Sequence, residues 1–209
     1  MTSFFLKAKH WLLFLLMFGI PLIFQFGMMI MMFSTINATG QPDPTFMFDM
    51  MAYFPVIMLI YMGLLFGWFW SIAIGLQPKV PKSIVMKTKK FKIFFFIPVL
   101  YITFLMLFMA NMFTGFDPMN SEPSGFLFPG VIAIILPLHL LSMFSIFYCI
   151  YFCAKTLKTI LLEREVSFGE FAGEFFMLWF WPIGIWILQP KINTMVNSTT
   201  KSDGGLEIL

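Results

Sequence analysis

The sequence predicts an all-α fold: a polytopic helical membrane protein with four long transmembrane helices and a short C-terminal fifth span or re-entrant element. Three observations carry this prediction. Of 209 residues, 60% are hydrophobic and only 11% charged, where a soluble domain carries about 25%. The charges are segregated: all thirteen Lys and Arg and all ten Asp and Glu fall in the first ten residues, in the connecting segments or near the C-terminus. Between them lie apolar stretches long enough to cross a hydrocarbon core of about 30 Å. The expected organisation is one transmembrane domain over residues 1–190 and a polar, flexible tail over 191–209.

The first span is expected over about 11–36. Its 26 residues make about 39 Å of helix, too long for a signal peptide, and no small-residue cleavage site follows. Pro21 should bend it, because proline removes a backbone donor and crowds the preceding turn. The second span is expected over 50–76, the third over 93–116 and the fourth over 126–154. Residues 155–174 mix three basic and four acidic side chains with apolar ones, as an element emerging from and returning along a membrane surface would. The last apolar element, 171–189, has only fourteen uncharged residues from Phe175 to Leu188. That is about 21 Å, short for a crossing, so a short fifth span and a re-entrant element both fit.

Orientation follows from the lysines. Segment 79–92 holds six lysines and no acidic residue, which places it in the cytoplasm by the positive-inside rule. Lys7 and Lys9 agree after two crossings. The connectors 37–49 and 117–125 contain Asp43, Asp49, Asp117 and Glu122 and no basic residue, as the opposite side predicts. A bacterial inner membrane is the expected location, with the N-terminus and the 79–92 loop inside. The net charge of +3 comes mostly from that loop and gives no argument for nucleic acid.

Two patterns organise the chain. Gly63, Gly67, Ser71 and Gly75 recur every four residues, so a helix places them on one smooth stripe that favours close helix packing. In addition, WFWSIAIGLQPK at 68–79 is echoed by WFWPIGIWILQPK at 179–191. The repeated boundary element is Gln77-Pro78-Lys79 and Gln189-Pro190-Lys191.

Candidates for chemistry are few. His139, with Ser142 and Asn111, is an intramembrane polar candidate, either a notch for a solute or proton or a histidine bonded between helices. Cys149 and Cys153 share a helical face and are weak metal candidates, more simply small buried packing residues. Glu163, Glu170 and Glu174 would share one face of a continuous helix at the cytoplasmic surface. Lys87, Lys89, Lys90 and Lys92 can meet anionic headgroups but are already explained as topology determinants. The methionines around Met28–Met32 lack a clean thioether ladder for a soft metal. No cofactor is expected. Nucleophile, zinc and phosphate-loop motifs are missing from the sequence, so a membrane-embedded enzyme or a metal or haem protein ranks last.

The expected function is therefore a small integral membrane subunit or scaffold that packs against a larger membrane partner or against itself within the lipid bilayer. The alternative is a transporter or channel for a small solute, ion or lipid, with a polar notch at His139.

Overall fold

The computed structural model describes residues 2–41, 44–114 and 129–203, which are all-helical and without strands. A six-residue helix, α1 (Thr2–Lys7), precedes α2 (His10–Phe14), which runs through a π-helical turn (Leu15–Gly19) into α3 (Ile20–Thr39). The turn sits just before Pro21. The wider π backbone accommodates the ring and the lost donor, so the proline alters the local helix type without ending the helix.

Helix α4 (Pro44–Trp70) passes into a second π turn (Ser71–Gly75) and closes in a short 3-10 turn at Gln77–Lys79. Helices α5 (Thr88–Thr114) and α6 (Pro129–Leu162) follow, then α7 (Phe168–Trp179) and α8 (Trp181–Asp203). Among the described residues, four helices are long and apolar enough to cross a membrane, His10–Ala38, Tyr53–Lys79, Thr88–Asn111 and Ile132–Leu162, and the bent pair α7–α8 would make a fifth if taken as one span. The connector 117–125, Asp43 and residues 204–209 lie outside the described residues.

Helices α7 and α8 bend by 120° across Phe180 and form a hairpin. Each of its arms is tied to the same end of the bundle. Glu174, midway along α7, pairs with Lys158 in the last turns of α6 at 3.1 Å. In α8, Gln189 Nε2 donates to the Phe5 carbonyl at 2.7 Å, and the Met195 carbonyl accepts from Lys79 Nζ at 2.6 Å. The tip reaches inward, with Trp181 against Phe18 and Tyr61 and Trp179 edge-on to Phe147. At twelve residues, α7 is about 18 Å long.

Within the segment expected as a polar, flexible tail, residues 191–203 are helical. Helix α8 continues through Pro190 to Asp203, Ile192 is fully buried, and Asn193 Nδ2 donates to the Ala8 carbonyl at 3.1 Å. Composition read this stretch as solvent-loving, but its inward residues pack on the N-terminal segment. The two echoed motifs also end differently: Pro78 closes a helix, whereas Pro190 lies inside one.

The core is gathered at the lysine-rich end, around Phe5, Leu13, Trp68, Phe69, Ile72, Phe91, Cys153, Phe171 and Leu188. Away from it the helices splay. In its most apolar stretch, the second long helix is 39% buried, against 11% for the first and 17% for the fourth. Ile23, Ile30, Leu100, Phe104 and Ile134 face outward.

The glycine stripe does receive a helix, and that helix is the chain's own α1. A Cβ on Gly67 would lie 2.7 Å from the Phe5 ring, and one on Gly75 would lie 3.0 Å from Leu6 Cδ1. Ser71 is buried, its Oγ donating to the Gly67 carbonyl at 2.7 Å. Only Gly63 is open, with nothing within 4 Å of an added Cβ. It borders a groove of about 320 Å³ that also touches Phe66, Phe95 and Val99. Gly67→Leu is therefore expected to lift α1 off its seat and cost about 1–3 kcal/mol, while Gly63→Leu stays within about 0.5 kcal/mol of the parent. Limited proteolysis near Lys7 and Lys9 with thermal unfolding in detergent measures this. Equal behaviour of the two variants would remove α1 from the stripe.

Candidate functional site

The densest polar construction in the bundle surrounds Gln189. Its side chain is fully buried, and a buried amide must meet its hydrogen-bonding capacity inside the protein. Gln189 Oε1 accepts from Trp68 Nε1 at 2.9 Å. Gln189 Nε2 faces the carbonyls of Phe5 at 2.7 Å and Ala8 at 3.0 Å, and Asn193 Oδ1 at 3.0 Å. Three acceptors thus share two protons, and two of them are carbonyls at the end of α1 that a helix terminus leaves unpaired. The echoed motifs meet here, since Trp68 belongs to the first and Gln189 to the second. In the first copy Gln77 only reaches back to the Ala73 carbonyl. The arrangement locks three segments together and offers no proton carrier.

The remaining candidates are dispersed. His139 lies on the exposed outer face of α6, where Tyr101 Oη of α5 is 3.3 Å from its Nδ1. Ser142 is buried, so the two do not form an enclosed notch. Asn111 is exposed near the C-terminal end of α5. His139 lines neither the Gly63 groove nor the apolar cleft between Phe104 and Ile134. Cys149 and Cys153 are fully buried free thiols in the core, and Cys153 Sγ donates to the Phe69 carbonyl at 3.3 Å. No group of three or more His, Cys, Asp or Glu is placed to hold a metal among the described residues.

The shared acidic face is corrected. Helix α6 ends at Leu162, and Glu163 turns the chain with φ of 53°, a left-handed value that L residues adopt at a cost. Glu163 is therefore off the α7 face. Glu170 sits in the first turn of α7, where its carboxylate accepts from the Ser167 N–H at 2.8 Å, the Ser167 hydroxyl at 3.0 Å and the Arg164 guanidinium. The S-x-x-E spacing that starts this helix is readable as a capping box. Glu174, by contrast, is buried.

The Arg164 guanidinium, followed by the Ser167 N–H and hydroxyl, holds the Glu170 carboxyl down at about 2. A carboxyl depressed on folding contributes its stabilisation above its ordinary pKa of about 4.3 and loses it as pH falls towards about 2. The start of α7 should thus fray between about pH 4 and pH 2 in the parent but not show this transition in Glu170→Gln. Hydrogen exchange at Glu170–Phe171 across that range tests it, and an identical acid profile in the two proteins would contradict it.

Around the α5 start, Lys87, Lys89, Lys90 and Lys92 are all exposed. They crowd the positive end of a 27-residue helix, the end where cations are disfavoured. Facing them on α6 are Tyr148, Tyr151 and Lys155, spaced three and four apart on one helical face. That spacing was the available sequence signal for this cluster.

These features define a helical protein with, among the described residues, four helices of membrane-crossing length and composition and a bent C-terminal helix pair packed into one end. The chain matches no known protein family, no curated protein and no solved structure.

Proposed function

We propose that the chain is a small integral membrane subunit or scaffold that works by packing against a larger membrane partner or a second copy of itself. The observation that carries this reading is the uneven burial of the long helices. Their lysine-rich ends share one core, while their other halves present Ile, Leu and Phe side chains to the outside. Such surfaces suit lipid and helix packing alike. The transport alternative draws less support, because His139 stands on the outer face beside Tyr101.

In this reading the lysine-rich end faces the cytoplasm of a bacterial inner membrane, and the α7–α8 hairpin enters from that side and leaves by it. Two experiments test the reading. A native mass spectrum of the tagged protein, extracted in mild detergent from its own membrane after alkaline washing, should contain a stoichiometric partner or a homo-oligomer. A homogeneous monomer would count against the subunit role. For the hairpin, single cysteines at Lys82 and Lys191, both exposed, should react with an impermeant maleimide from the same side, whereas a fifth crossing would separate them.

A further inference from the structure

We propose that the cavity between the start of α5 and the end of α6 binds a phosphate group, supplied by an anionic lipid headgroup or by free inorganic phosphate. Only the lipid as source rests on the membrane reading above; the site chemistry does not.

The cavity holds about 270 Å³ and is lined by Lys87, Lys90, Tyr148, Tyr151, Lys155 and Glu165, with Phe152 behind them. These residues come from the loop before α5, the first turn of α5, two turns of α6 and the segment after it, so the fold assembles the cavity. Phe152 is stacked on Phe91 at 4.9 Å, which backs the cavity with two buried rings. Three ammonium groups against one carboxylate leave the lining with two uncompensated positive charges at neutral pH. Lys155 is paired with Glu165 at 3.3 Å, while Lys87 and Lys90 make no ion pair with another described residue.

Three lysines and two tyrosines lining one cavity suit a phosphate, which takes several donors and at least one negative charge. The apolar side matches the glycerol and first methylenes of a lipid better than a fully hydrated anion. The Glu165 side chain is 76% exposed, and a surface pair of this kind is weak, so an incoming phosphate can take its place on Lys155. Basic clefts between membrane helices on the cytoplasmic side are where anionic headgroups settle.

The competing explanation is that the loop lysines only orient the chain, and the two accounts divide on position. Lys87 and Lys90 line the cavity, whereas Lys89 and Lys92 belong to the same basic segment and do not. Removing either pair takes away the same charge. The full-length protein in neutral detergent would be titrated with phosphatidylglycerol and phosphatidylcholine, read by native mass spectrometry, and with inorganic phosphate, read by calorimetry.

Phosphatidylglycerol should bind at one per chain in preference to phosphatidylcholine. Lys87→Gln/Lys90→Gln should weaken binding about tenfold or more, while Lys89→Gln/Lys92→Gln should stay within about twofold. Glu165→Gln should tighten binding, a gain that a purely structural cluster would not give. Phosphate binding that follows the same variants without lipid preference would identify the free anion as the ligand. Equal losses in the two double variants, or no binding of either probe, would overturn the proposal. Because the titration is done in detergent, its outcome is independent of whether the chain resists alkaline washing.

Discussion

Gly184→Ala is expected to open the α7–α8 hairpin. A Cβ at this position would lie 1.8 Å from the Met177 carbonyl oxygen and 2.6 Å from its carbon. Both are backbone atoms of the facing helix, so no rotamer change relieves the overlap. The Gly184 N–H is also committed to the Phe180 carbonyl at 2.9 Å, which fixes the register of the turn. The expected loss is at the upper end of overpacking, about 3 kcal/mol or more. Ala73, at the matching position of the first echoed motif, is fully buried in the π turn and does carry a methyl group. Thermal unfolding of Gly184→Ala beside Ala73→Gly in the same detergent separates hairpin crowding from general helix effects. A Gly184→Ala protein as stable as the parent would mean that the two helices do not touch at Met177.

Lys158→Met is expected to be nearly as damaging, for an electrostatic reason. Glu174 has 7% of its side chain exposed and Lys158 25%, and their charged atoms lie 3.1 Å apart. Removing the ammonium strands a carboxylate among α6 and α7 side chains, with a cost of about 3–5 kcal/mol for a buried pair. Partial exposure of Lys158 argues for the lower figure. Replacing both, as Lys158→Met/Glu174→Met, should recover most of the loss, since a buried pair exchanged for apolar residues is often close to neutral. Chemical unfolding of the two single variants and the double variant measures the coupling directly. Simple addition of the single losses in the double variant would show that the two charges act independently.

The long helices were legible because a chain without charges over twenty residues has few alternatives, and those runs correspond to four helices of suitable length. The glycine stripe was legible as a packing face, but its occupant was not. Phe5 and Leu6 sit in a ten-residue leader whose lysines dominate a composition reading. The proposed common face of Glu163, Glu170 and Glu174 assumed an unbroken helix, and a helical period says nothing about where a left-handed residue such as Glu163 interrupts it. Ser167 and Glu170 did carry the interruption in their capping spacing. Gln189 was visible only as half of a boundary motif. Its partners Phe5, Ala8 and Trp68 are more than a hundred residues away, and such pairings leave no local trace.

The meeting of Gln189 with Phe5 has a consequence for the order in which the molecule is made. The two residues are 184 positions apart. At about 5–20 residues per second of synthesis, roughly 10–40 s separate the appearance of the first helix from that of the amide that anchors it. During that interval Phe5 and Leu6 have the glycine stripe available only after residue 75 has emerged, and no polar anchor at all. Helix α1 is thus a waiting segment, held on the stripe by apolar contacts alone until α8 arrives. Truncation before residue 189 should leave it permanently in that state.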